Sequence, residues 1–155
     1  QKKKKKKKKK KRAQKLIYGI CELSADAKAN LDNLVNLLSS ILEYDYASVW
    51  IVDEDANDAS YLYCQASTVG KMIGYKISCK EPMVEQLLKE RNEMSLHSTD
   101  NKFPSFLKQC HEAVDIHAKS LYCIPITDCD SQDCVAVIEL AHEQCQKNER
   151  TPTDI

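Results

Sequence analysis

A length of 155 residues allows one domain of ordinary size with a tail, but not two full domains. Hydrophobic residues make up 43% of the chain, which excludes a wholly disordered polymer, and no apolar run approaches the roughly 18 residues of a transmembrane helix. The formal net charge of zero hides a segregation: residues 2–12 hold 11 of the 23 basic residues, so the remainder carries 12 basic against 23 acidic residues, a net of −11. The chain therefore divides into a polybasic arm, residues 1–12, and an acidic domain, residues 13–155.

The arm consists of Lys2, Lys3, Lys4, Lys5, Lys6, Lys7, Lys8, Lys9, Lys10, Lys11 and Arg12. Its like charges repel and it has no apolar group to bury, so it cannot fold alone and is expected to dock on an anionic surface. The acidic domain, and the lack of aromatics between the lysines, disfavour nucleic acid. An acidic protein surface, for which tubulin-like tails are one example, is the expected partner.

Leu16, Ile17 and Ile20 form a short apolar stripe that reads as a first helix. Ser24 or Asp26 starts the next, with Leu31, Leu34, Val35, Leu38, Ile41 and Leu42 at helical spacings. The period then changes to two. Tyr46 to Val52 and Tyr61 to Gln65 read as a hairpin around the polar turn Asp53–Asp58. Gly70 and Gly74 flank a loop, and Tyr75 to Cys79 is a short strand. Pro82 opens a helix through Val84, Leu87 and Leu88 to about Arg91. Met94 to His97 is a strand, residues 100–102 a turn, and Phe103 to Val114 a helix. Lys119 to Ile126 is a strand whose Pro125 should lie at an edge or an end. Asp128 to Asp133 is a turn, and Cys134 to Leu140 a buried strand. This order predicts an α+β fold with an antiparallel sheet packed on helices.

Eight cysteines without secretory signals, several inside apolar runs (Cys64, Cys123, Cys134), read as reduced core thiols of a cytosolic chain. Cys129 and Cys134 flank a turn but lack a second pair of zinc ligands, and His97, His111, His117 and His142 show no metal spacing and read as surface residues. Asp53, Glu54, Asp55 and Asp58 lack the glycine and the order of a calcium loop. Of the aromatic group Tyr44, Tyr46, Trp50, Tyr61 and Tyr63, Trp50 is expected in the core and some tyrosines at a contact surface. Thr151-Pro152 is a helix start at the chain's end, which suggests a segment of a longer protein.

Four stretches together resemble a GAF domain, the sensory module of cyclic-nucleotide phosphodiesterases and phytochromes: Leu34 to Glu54, Gly74 to Leu88, Leu121 to Asp128 (LYCIPITD) and Val135 to Leu140 (VAVIEL), with TPTDI resembling the start of the closing helix. The likeness covers residues 16–155, truncated at that C-terminal helix. It implies a six-stranded antiparallel sheet, helices on one side, and a pocket under residues 94–117, with Met94, Phe103, Phe106, Cys110, His111 and Leu121 as candidate lining.

The resemblance is incomplete where the family binds ligands. The asparagine-lysine pair of cyclic-nucleotide binders is replaced by Ala141-His142-Glu143, their phenylalanine by Arg150, and only Asp154 remains of their acidic pair. If a nucleotide did bind, the helix from Phe103 would turn its first amides toward the phosphate. Cys110-His111 is similar to a bilin-attachment pair, but the other pocket motifs of that group are absent. Cys79 and Cys110 lie in regions comparable to the thiols of free methionine sulfoxide reductase, without the glycine-rich loop. The expectation is a non-catalytic module without cofactor or metal, a protein-interaction or scaffolding part of a larger assembly in a cytoplasmic, cytoskeletal or ciliary setting, able to pair through its terminal helices. Cyclic-nucleotide sensing is the alternative, and a reductase activity the third reading.

Overall fold

The computed structural model describes residues 27–54, 59–97 and 110–143. Helix α1 (Ala27–Leu42) buries Val35 and Leu42 and half-buries Leu31 and Leu38, the stripe expected from their spacing. It ends where Glu43 takes a left-handed φ of 59°. Tyr44 N–H then bonds back to the Ser39 carbonyl at 3.0 Å, a six-to-one closure that satisfies a free carbonyl and sets Tyr44 into the core.

Six strands follow: β1 (Tyr46–Glu54), β2 (Ser60–Ser67), β3 (Lys76–Ser78), β4 (Met94–His97), β5 (Ser120–Thr127) and β6 (Cys134–His142). They form one antiparallel sheet in the order β3-β2-β1-β6-β5-β4. β1 runs further than expected, because Asp53 pairs with Tyr61 and Glu54 with Ser60, so both acids belong to the ladder and not to a turn. β6 also continues through Ala141 and His142, which pair with Leu121 and Ser120. Pro125 sits in β5 beyond Cys123, the last residue opposite β4, so that flank of the strand has no neighbour among the described residues, as the missing N–H requires.

Helix α2 (Pro82–Glu90) starts with proline in its first turn and ends at Arg91, whose φ is 57° and whose N–H reaches the Leu87 carbonyl at 3.0 Å. Gly70–Met72 forms a 3-10 turn, and Gly74 adopts φ 96°, a conformation that a side chain would strain.

Strand parity divides the core in two. On one face, Trp50, Leu62, Cys64, Leu121, Cys123, Val137 and Ala141 pack with Val84 and Leu87 of α2. On the other, Ala47, Val49, Tyr122 and Leu140 pack with Val35 and Leu42 of α1. The described helices thus lie on opposite faces of the sheet, not on one side. A bulge makes the switch in β2: Val49 faces Ala66 while Trp50 faces Cys64, so Gln65 is an extra residue. Cys64 therefore joins the α2 face and Ala66 the α1 face although their sequence parity is the same.

Leu140 is fully buried on β6, whereas Leu37 on α1 is 56% exposed. Leu140→Ala should lower unfolding free energy by about 2–5 kcal/mol, and Leu37→Ala by less than about 0.5 kcal/mol. Urea unfolding of both variants checks the assignment of helix faces.

Candidate functional site

The α2 face of the sheet holds a buried carboxylate. Glu139 on β6 shares the inward face of Val137, yet it carries a charge-bearing group into an apolar layer. Both of its oxygens are engaged. Oε2 accepts a hydrogen bond from Trp50 Nε1 at 3.1 Å, and Oε1 lies 2.9 Å from His111 Nε2. With Glu139 ionised, the carboxylate only accepts, so His111 must carry a proton on Nε2. His111 is as buried as its partner, and its Nδ1 has no hydrogen-bond partner.

The backbone around His111 fixes its position. Residues 110–113 form a helical turn, and the His111 carbonyl accepts from Val114 N–H at 3.2 Å and from Ile116 N–H at 2.7 Å. Asp115 takes a left-handed φ of 62° to close this loop. Ahead of it, the Cys110 thiol lies 3.8 Å from Met72 Sδ. The arrangement ties the turn after the 98–109 stretch to the middle of the sheet.

Next to Glu139 a cavity of about 20 Å³ opens between α2 and the sheet, lined by Trp50, Leu62, Ile77, Met83, Val84, Leu87, Cys123, Val137 and Glu139. Such a volume has room for about one water. The pocket expected under residues 94–117 falls largely on 98–109, outside the described residues. Met94, Cys110, His111 and Leu121 do not line the cavity: Leu121 and Cys110 are core residues, Met94 packs partly against the same core, and His111 is spent on Glu139. Phe103 and Phe106 lie outside the described residues, as does the whole arm from Lys2 to Arg12.

The thiols of this face are poor nucleophiles. Burial, and then the Glu139 charge, push Cys110 up to about 12. Burial, Glu139 and Cys110 do the same to Cys64, also about 12, and burial raises Cys79 to about 11. Cys123 is raised for the same reasons as Cys110. A thiol needs a lowered pKa to attack a bilin or a sulfoxide, so this environment opposes both chemistries. The six described cysteines are free thiols, and among the described residues no group of three His, Cys, Asp or Glu is placed to hold a metal ion. No helix of the described residues is long and apolar enough to cross a membrane.

His111 and His142 are both buried, which corrects the expectation of surface histidines. Each is held by a specific contact that linear spacing does not reveal: the Glu139 carboxylate for His111, and a stacked Tyr44 ring, 4.2 Å between centroids at 13°, for His142. Around His142 a second polar group assembles at the sheet's end. Glu143 N–H donates to Asp45 Oδ2 at 2.7 Å, Tyr46 hydroxyl donates to Glu143, and His142 Nδ1 stands 3.8 Å from Asp45 Oδ2 without a hydrogen bond. Burial, the Glu143 hydrogen bond and charge, and the charges of Asp45 and Asp115 together push the Tyr46 phenol up to about 12.

Glu139, at the centre of this buried polar group, is the side chain that sequence reasoning missed. A lone acid at an inward position of the apolar stretch VAVIEL marked it.

A family model described as GAF domain matches residues 26–155. No curated protein matches the sequence. Among solved structures, the GAF domain of an Acinetobacter phosphoenolpyruvate-protein phosphotransferase superposes with TM-score 0.62 at 14% identity, covering 92% of this chain and 80% of that one. The GAF domain of a two-component sensor histidine kinase from Bacillus halodurans gives 0.58 at 21% identity, covering 84% and 83%. A type II free methionine-R-sulfoxide reductase from Thermoplasma acidophilum gives 0.57 at 10% identity, covering 82% and 80%. At these identities the likeness establishes a shared fold.

Two measurements follow from the thiols. In the native chain an alkylating reagent should modify exposed Cys129 while sparing buried Cys64, Cys110 and Cys123, as read by peptide mass spectrometry. Because Cys64 and Cys110 are raised from 9.0 to about 12, the unfolded chain ionises first. Stability should be insensitive to these thiols below pH about 9 and fall between about 9 and 12, by at most about 1.4 kcal/mol per pH unit for each thiol. Urea unfolding at several pH values in that range reads the slope.

Proposed function

Because the chain belongs to the GAF domain family, a class of regulatory and sensory modules, we propose that it serves as a non-catalytic interaction module that pairs with a second copy through the outer face of α1. The observation that carries this reading is the stripe Leu34, Leu37 and Ile41, which is 39%, 56% and 51% exposed. These residues stand three and four apart, so they share one helical face, while Val35 and Leu42 turn the opposite way into the core. Three large apolar side chains on one helix face form a contact surface that water solvates poorly. Pairing of α1 with its symmetry mate would bury the stripe in a two-fold, self-complementary contact.

The inner face supports the same reading from the other side. Its carboxylate is occupied by Trp50 and His111, and the space beside it is the size of a single water. The raised thiols favour a module without thiol catalysis. In this reading the basic arm adds an electrostatic contact with an acidic protein of the assembly, such as a tubulin-type tail.

Small-ligand sensing is the second reading, favoured by one observation: His111 Nδ1 is buried and unsatisfied, as a group awaiting a hydrogen-bonding ligand would be. Native mass spectrometry of the purified 155-residue chain reports both readings at once. A dimer that becomes monomeric in L37E and I41E supports pairing through α1. A wild-type monomer at all concentrations, or a dimer that both substitutions leave intact, overturns it. A retained small molecule would favour sensing.

A further inference from the structure

The apolar stripe of α1 lies on a helix face almost free of charge. From Ala29 to Ile41 the one charged residue is Asp32, and it stands two positions before Leu34, so it points to another side of the helix. Residues 13–155 carry 23 acidic against 12 basic residues, a net of −11. Two copies of so acidic a domain repel each other, and the repulsion is least across a surface without charge.

The two ends of the stripe differ. At its start Asn30 is exposed and lies four positions before Leu34, on the same face. Its side-chain amide carries two N–H donors. Past Ile41 the chain leaves the helix through Glu43, which is exposed with φ 59°, and reaches Asp45, which is 48% exposed. One end of the face thus offers donors and the other carboxylates. The apolar part between them is nearly symmetric, since Leu34 and Ile41 stand three and four residues either side of Leu37.

We infer that two copies pair with their α1 helices antiparallel, crossing at Leu37, an inference that rests on the pairing reading above. In this arrangement each Leu34 lies on Ile41 of the other copy, and each Asn30 amide meets the carboxylates just beyond the other helix. The two-fold axis repeats each of these contacts. A parallel pair would instead set Glu43 beside Glu43 and Asp45 beside Asp45, with all the negative charge at one end. Ala27 is 10 residues from Leu37, or about 15 Å along the axis. The two helix starts therefore stand roughly 30 Å apart along the axis, and the chains enter the pair from opposite ends.

Two measurements on the intact 155-residue chain test the orientation. N30K places an ammonium at the start of each stripe. In the antiparallel pair it meets Glu43 and Asp45 of the other copy. The dimer Kd from analytical ultracentrifugation should then fall about 2- to 30-fold, the worth of two exposed ion pairs, and high salt should remove the gain. In a parallel pair the new ammonium meets its own counterpart and Kd rises. Independently, a benzoylphenylalanine photo-crosslinker in place of Asn33, in a mixture of light and heavy isotope copies, reads the alignment by peptide mass spectrometry. Light-to-heavy links to residues 40–45 support the antiparallel pair, and links to residues 29–36 overturn it. A dimer that L37E breaks, but that N30K weakens or leaves unchanged, overturns the orientation and leaves the pairing reading standing. A wild-type chain that stays monomeric, or a dimer indifferent to L37E, overturns both.

Discussion

A carboxylate inside an apolar layer is the constraint around which this domain is arranged. Burying an isolated charge costs many kilocalories per mole, and Glu139 is tolerated only because both oxygens find donors. Those donors come from distant parts of the chain, Trp50 on β1 and His111 after the fourth strand, so one polar knot links the two central strands to the turn at 110–113. The same charge sets the character of its surroundings. It holds Cys64, Cys110 and Cys123 in their thiol form more firmly than burial alone would.

The second structural theme is the division between faces. β1 and β6 are central strands, so each must present apolar groups in both directions. Val49 and Leu140 turn to α1, while Trp50 and Val137 turn to α2. The bulge at Gln65 lets β2 serve both layers without a break in pairing to β1. α1 then has one satisfied face and one unsatisfied face, and the polar end of the sheet next to it collects acid.

Much of the fold could be read from periodicity. The α1 stripe, the β1–β2 hairpin, the proline-started α2 and the final buried strand all rest on local patterns, and Met94–His97 appears with those bounds. Pro125, expected at an edge or an end, lies near the end of β5 and is unflanked on one side among the described residues. What sequence could not carry depends on contacts between distant residues. The burial of His111 and His142 comes from Glu139 and Tyr44, which lie 28 and 98 positions away. The bulge at Gln65 cancels the alternation that would have assigned Cys64 and Ala66 to one face. Of the candidate pocket set, which came from resemblance, Cys110 and Leu121 lie in the core, Met94 packs against it, and His111 bonds Glu139.

Pro125 carries a consequence for the behaviour of the chain in crowded surroundings. Past Cys123 the outer rim of β5 has no strand beside it among the described residues, and half-exposed Ile126 would make it sticky. A stretch of bare backbone next to an apolar side chain is a template on which a stranger's strand can add. The proline ring removes one donor from that rim, and the shift in register at Ile126/Thr127 twists what remains away from a straight ladder. That flank of β5 thus takes a form that resists propagation.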